Sequence, residues 1–161
     1  MHKNFAKIDS ENRVKSIHVV DHVDCQDENG EISDAVGIAY LTKIHGHSVW
    51  QPVVGQVGRM YHYSVTHNLF YPPQPHASWT LDEAAGKWNP PIAYPTVVEY
   101  SHLMDNPSDE DHGKTVTMEH VPTWDETNQR WVSGKNVPTA QIGTAINVWD
   151  PNNSSWDLTN L

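Results

Sequence analysis

The feature that most constrains this chain is an eight-residue outline that occurs four times: at Tyr63–Phe70, Leu81–Trp88, Trp124–Trp131 and Trp149–Trp156. In each, two large apolar side chains stand seven positions apart, with small and polar turn formers between them. On a helix the two end residues would share a face. The residues between are of the wrong kind, because Asn, Ser, Thr, Asp and Pro favour turns and compete for helical backbone bonds. A tight β-hairpin fits both facts, since its two end residues face each other across the strands. Cross-strand aromatic pairs of this kind contribute roughly 0.2–1 kcal/mol each. The outline predicts architecture and names no chemistry.

A chain of 161 residues suffices for one domain with a real core, or for two small ones. Hydrophobic residues make up only 37%, so seven Trp and six Tyr must supply much of that core. Eleven Pro and nine Gly favour many short segments over long helices. The formal net charge of −10 argues against duplex DNA or anionic lipid as a partner, since both reward Lys and Arg. Cys25 is the single cysteine, which excludes an intrachain disulfide. The opening Met-His-Lys-Asn-Phe lacks the apolar stretch of a signal peptide, and no apolar run approaches membrane-spanning length. Folding in a cytoplasm is the expectation, and a protein that leaves the cell inside a particle released by lysis shares it.

Along the chain, Phe5–Asp9 and Val14–Val20 flank the polar loop Ser10–Arg13 and read as an opening hairpin. Asp24 to Gly30 is acidic and ends in the turn signal Asn29-Gly30. From Ser33 the period changes: Val36, Ala39, Tyr40 and Ile44 recur at helical spacing. Ser33 or Asp34 stands at the start and Gly46 at the end, which predicts one helix at about 34–45. Gly37 within it costs about 1 kcal/mol relative to Ala. Val49 to Val57 reads as extended chain broken by Pro52 and Gly55, and Arg59 to Tyr63 as a strand into the first aromatic hairpin. Tyr71 to His76 is a proline-rich extended link. Ile92 to Tyr100 is extended, Asn106 to Lys114 a solvated acidic loop, and Thr115 to Val121 an alternating strand. Thr139 to Val148 is the last strand before the fourth copy. The fold expected is mainly β, with short antiparallel hairpins, proline-rich links and that one helix. Its organisation is an N-terminal hairpin-plus-helix lobe at 1–58 and an aromatic hairpin region at 59–161, or one continuous domain.

The block Leu69-Phe-Tyr-Pro-Pro-Gln-Pro-His-Ala-Ser-Trp-Thr-Leu-Asp-Glu83, followed by Trp88-Asn-Pro-Pro-Ile-Ala-Tyr-Pro95, resembles small virion structural proteins of marine tailed bacteriophages, cyanophage-like in pattern. The Trp124-Asp-Glu hairpin ending in Trp131, the opening Phe5–Asp9 and the Val36–Tyr40 segment before Gly46 and Trp50 match as well. The resemblance spans most of residues 5–132. The chain departs from the pattern at Ser64, where Asp is usual, at 100–121, which reads as an insertion, and at Trp149–Leu161, which reads as an added unit. The resemblance implies a non-enzymatic structural protein of the virion, assembled in the host cytoplasm and carried on the particle exterior. Capsid decoration and a tail or tail-fibre accessory are both compatible with it. The partners expected are other virion proteins and, from the lean core and many aromatic edges, further copies of the chain as a homo-oligomer; the tryptophans add a host glycan as a further possibility, and the charge and the lack of long apolar runs leave no nucleic acid or membrane. The family offers no catalytic residues, and no cofactor is expected.

The residues themselves leave little room for chemistry. His45-Gly-His47 places two imidazoles on one side of an extended chain, but no third ligand, H-E-x-x-H motif or Cys pair accompanies them. They read as a helix-end and a loop histidine, and no metal site is expected. Asp21-His-Val-Asp24 lacks EF-hand spacing, and Asp105, Asp109, Glu110 and Asp111 with His112 read as a solvated acidic loop. A lone Cys25 without a local signature is inert. Asp82-Glu83 and Asp125-Glu126 recur where the turns recur, which argues for turn-making over acid–base work. The rival to a purely structural reading is a carbohydrate-binding module, in which Trp149, Trp156, Trp124 and Trp131 would offer flat faces to sugar rings. Of these, Trp149 and Trp156 are expected to be the exposed pair and the contact with a partner or glycan, the others being hairpin staples.

Overall fold

A computed structural model describes residues 2–47, 49–104, 106–108, 110–135, 137 and 141–161. Strand accounts for 42% and helix for 11%, so the fold is mainly β, built among the described residues from short antiparallel sheets and one α-helix. Contacts divide it into two compact units, Met1–Pro75 with Leu81–Trp88, and His76–Thr80 with Asn89–Leu161.

In the first unit, β1 (His2–Ile8) lies between β2 (Val14–Asp21) and β3 (Trp50–Val53), antiparallel to both. Helix α1 (Asp34–His45) runs over the span predicted from the sequence, preceded by a 3-10 turn at His22–Cys25. Gly46 caps α1 in the left-handed conformation, its N–H donating to the Thr42 carbonyl. Ser33 occupies the N-cap position without a side-chain cap bond. The buried face of α1 is Gly37 and Leu41, with Ile38 and Tyr40 against the core, while Ile44 is exposed. The face expected from Val36, Ala39, Tyr40 and Ile44 is therefore rotated, and Gly37 supplies the reason. A Cβ at Gly37 would stand 2.5 Å from Phe5 Cζ and 2.9 Å from Cys25 Sγ, so only glycine lets the helix approach the sheet this closely. Phe5, Val20, Cys25, Leu41 and Trp50 form the core beneath it.

β4 (His62–Ser64) and β5 (Leu69–Tyr71) make the first aromatic hairpin, and β6 (Thr80–Asp82) and β7 (Lys87–Asn89) the second. Residues 59–75, grouped by sequence with the aromatic region, belong here to the first unit. The Val14 N–H donates to the Tyr61 carbonyl, the Tyr63 N–H donates to Asn12, and Tyr63 is buried with Ala6, Ile8 and Val14. The strand expected from Arg59 begins only at His62, because Met60 takes a left-handed turn at φ 69°.

The second unit contains a four-stranded antiparallel meander: β10 (Thr123–Asp125), β11 (Arg130–Ser133), β12 (Ala145–Asp150) and β13 (Ser155–Asn160). A separate hairpin of β8 (Glu99–Leu103) and β9 (Thr115–Glu119) flanks the acidic loop. β12 alternates strictly, with Ala145, Asn147 and Trp149 inward. Of the stretch expected to lead into the fourth copy, Thr139 and Ala140 lie outside the described residues. Among the described residues no helix is long and apolar enough to cross a membrane.

Candidate functional site

The four aromatic repeats obey one local rule. The registers pair Tyr63 with Phe70, Trp124 with Trp131, and Trp149 with Trp156, the end residues facing each other as the outline predicts. Their ring centroids are 5.0, 5.2 and 5.5 Å apart. The second position of each repeat is Ser64, Asp82, Asp125 or Asp150, and its side-chain oxygen accepts from a backbone N–H two or three residues on. The sixth is Asn68, Gly86, Gln129 or Ser154, every one left-handed with φ between 49° and 62°. A side-chain acceptor just before the loop and one left-handed residue at its last position close a four-residue turn. The Asn128 side chain chiefly, then its backbone N–H and Arg130, holds the Asp125 carboxyl below the usual range. The Asn152 backbone N–H does most for Asp150. These carboxylates make turns, as expected.

Glu126 does something the sequence did not indicate. Its Oε1 accepts from the Ser78 N–H at 2.8 Å, and its Oε2 accepts from the Ser78 hydroxyl at 2.7 Å and the Trp124 indole N–H at 2.8 Å. The Ser78 hydroxyl is the main reason its carboxyl is held low, with Trp124 and His76 adding to the effect. Ser78, His76 and Glu126 thus meet, but not as a nucleophile, base and orienting acid. In that arrangement the histidine stands between the hydroxyl and the carboxylate. Here the hydroxyl is bonded directly to the carboxylate, and His76 Nδ1 is 4.0 Å from Glu126. The constellation is a clasp tying the link that follows the proline-rich stretch to the third hairpin.

A second regularity also escaped sequence reading. The tryptophan closing each of the last three repeats donates its indole N–H to a carbonyl of an upstream link: Trp88 to Pro72 at 2.8 Å, Trp131 to Ile92 at 2.9 Å, Trp156 to Val97 at 2.6 Å. Extended, proline-rich links have carbonyls without ladder partners, which are left to accept from side chains or water. Here the donors are the indoles.

These bonds decide the standing of the tryptophans as a contact surface. Trp124, Trp131 and Trp149 are 5–6% exposed and form one cluster with Trp79, Ile92 and Trp156 packed against it. Trp149, expected at the surface, is core, because its strand alternates inward and its ring meets Trp156. Trp156 is half-buried, stacked on His120 with centroids 4.6 Å apart and planes 21° apart. Of the pair expected to be exposed, Trp149 is therefore a buried staple like Trp124 and Trp131, while Trp156 keeps part of its surface exposed.

The remaining candidates disperse. His45 packs edge-on to His18 at 4.7 Å and tilts against Trp50 at 5.6 Å, while His47 Nε2 lies 3.1 Å from the Ile8 carbonyl. Burial chiefly, then His45 and Lys7, lowers the His18 pKa. Among the described residues no group of three or more His, Cys, Asp or Glu side chains is placed to hold a metal ion. Asp21 to Asp24 enters the 3-10 turn. Cys25 is buried and its thiol pKa is raised by burial, which makes it a poor nucleophile. Asp111 pairs with Lys114 at 2.6 Å, and Asp105 and Asp109 lie outside the described residues. No family model, curated protein or solved structure matches the chain.

Proposed function

We propose that this chain is a non-enzymatic structural component of a tailed bacteriophage virion, carried on the particle exterior as a capsid decoration or a tail-fibre accessory. The observation that carries the reading is the block from Leu69 to Pro95 with the Trp124–Trp131 hairpin, whose pattern resembles small virion structural proteins of marine phages. The geometry is compatible with it at the level of single residues. The carboxylates, hydroxyls and indole N–H groups that conserve the outline from repeat to repeat bond within the chain itself: Asp125 to its own turn, Glu126 to Ser78, Trp131 to Ile92. Side chains spent in this way build a scaffold.

The partners proposed are neighbouring virion proteins and further copies of the chain. The ends of the meander support this: β13 is an edge strand of six residues without Pro or Lys, and Leu158 on it is exposed. Bare edges of that kind pair readily with another chain unless something blunts them. Mass spectrometry of particles purified through a density gradient tests the reading. Peptides of this chain should be recovered in constant ratio to the major head or tail proteins. Their absence from infectious particles would overturn it.

A further inference from the structure

The first unit contains a cleft of about 350 Å³ lined by Asp34, Pro52, Val54, Gln56, Val57, Asn68, Leu69 and Phe70. We propose that this cleft is a binding site for a neutral saccharide unit, with Asp34, Gln56 and Asn68 meeting the hydroxyls. The inference stands apart from the virion reading and from the tryptophans, none of which lines the cleft.

Four properties carry it. The volume is within the range of small-ligand sites, roughly 300–1,000 Å³. The charge is already balanced, because Lys3 pairs with the Asp34 carboxylate. An anionic ligand would meet that carboxylate in a chain of net charge −10, and a cation would have to compete with Lys3. The polar groups are suited to hydroxyls: the carboxylate accepts, and the two carboxamides both accept and donate. Tyr63 donates its hydroxyl to Asn68 Oδ1 at 2.5 Å, which orients the carboxamide and leaves its N–H₂ group for a ligand. Finally, Pro52, Val54, Val57 and Leu69 supply aliphatic wall, and Val54 is 92% exposed at the rim, an apolar surface that the C–H face of a pyranose would cover. Phe70 is engaged with Tyr63 at 5.0 Å, so the walls suit a puckered ring better than a flat base held between aromatic faces.

The test is a titration of the ¹⁵N-labelled chain with D-glucose, D-galactose, D-mannose and N-acetylglucosamine, with D-glucuronate as the charged comparator. At least one neutral sugar should move the amide signals of Val54, Gln56 and Asn68–Phe70 in a saturable way, and glucuronate should not. Asn68→Gly retains the left-handed backbone and removes the carboxamide, and should weaken that response about five-fold, the loss of about one neutral hydrogen bond. Gln56→Ala, at an exposed position away from the core, provides a second reading where folding is not in question, and should weaken it by a similar factor. Silence from all four neutral sugars, shifts centred away from the cleft, equal binding of glucuronate, or full binding by both variants would each overturn the proposal.

Discussion

The two units bury apolar surface in different ways, and the difference shows what a lean sequence can do. The first unit brings an ordinary helix onto a sheet: Phe5, Val20, Leu41 and Trp50 close around Cys25, and a glycine in the helix removes the last obstacle to contact. Its energy lies in close approach, so it is sensitive to added volume. The second has few aliphatics to spend. Its cluster is Trp124, Trp131 and Trp149 with Trp79, Ile92 and Trp156, and three of those indoles also place their N–H groups on carbonyls or a carboxylate of the same unit. Each such ring contributes area and satisfies a polar group at once, so this core is sensitive to lost volume and lost donors.

The largest effect expected from breaking that contrast is at Trp131. Trp131→Ala removes a ring that touches Trp79, Trp124 and Tyr94 and strands the Ile92 carbonyl, and should cost about 3–5 kcal/mol in urea denaturation. Trp156→Ala, at a half-buried position, should cost about half as much. Equal losses would mean that burial does not separate the third hairpin from the fourth.

In the first unit the corresponding test adds volume. In an exposed helix Gly→Ala gains about 1 kcal/mol. At Gly37 the new methyl would press on the Phe5 ring and the Cys25 sulfur, and Gly37→Ala should instead lose about 1–3 kcal/mol through overpacking. A more stable variant would show that the helix sits less tightly on its sheet than the geometry indicates.

The donor role of the indoles can be isolated with less damage. Trp156→Phe keeps an aromatic ring opposite Trp149 and deletes the N–H that reaches Val97, at a cost of about 1 kcal/mol. The ¹³C shift of the Val97 carbonyl should move in the variant. An unmoved carbonyl with unchanged stability would reduce the indole to area alone.

How much of this was legible from sequence follows from how local each signal is. The hairpins were readable because their end pairs and turn residues lie within eight positions, and helix α1 because its length and Gly46 bracket it. Which face of α1 is buried was not, because large residues at helical spacing outweighed a glycine whose value depends on Phe5, thirty-two positions away. The Glu126 clasp on Ser78 spans 48 positions, and the indole bonds of Trp131 and Trp156 span 39 and 59. No periodicity reports such a partner. The burial of Trp149 goes with that of Ala145 and Asn147 on one face of an alternating strand, and alternation alone does not say which face turns inward.

The smallest and most selective effect expected is the response to mild acid, which the two units should show for different reasons. His120 in the second unit is buried, with Nδ1 3.1 Å from the Ser133 hydroxyl and its ring against Tyr100 and Trp156, and burial lowers its pKa below 6.5. His18 in the first is lowered by burial first and then by the positive charges of His45 and Lys7. For both, the folded chain binds fewer protons than the unfolded chain below that value. Their contribution is therefore fully present above about pH 6.5 and is lost as the pH falls through the depressed folded pKa values. Asp9, Asp125, Glu126 and Asp150 are depressed carboxylates, and their share persists until the pH falls below about 4. Denaturation midpoints measured between pH 7.5 and 5 should therefore decline before the share of these four carboxylates is lost. Salt separates the two histidines, since it screens the repulsion from His45 and Lys7 but not the desolvation of His120. Added salt should lessen the acid loss read at His18, by the part due to His45 and Lys7, and leave that read at His120 in place, each followed through its own ring proton shifts. Loss of both in high salt would show that the desolvation of His120 is not what holds its pKa down.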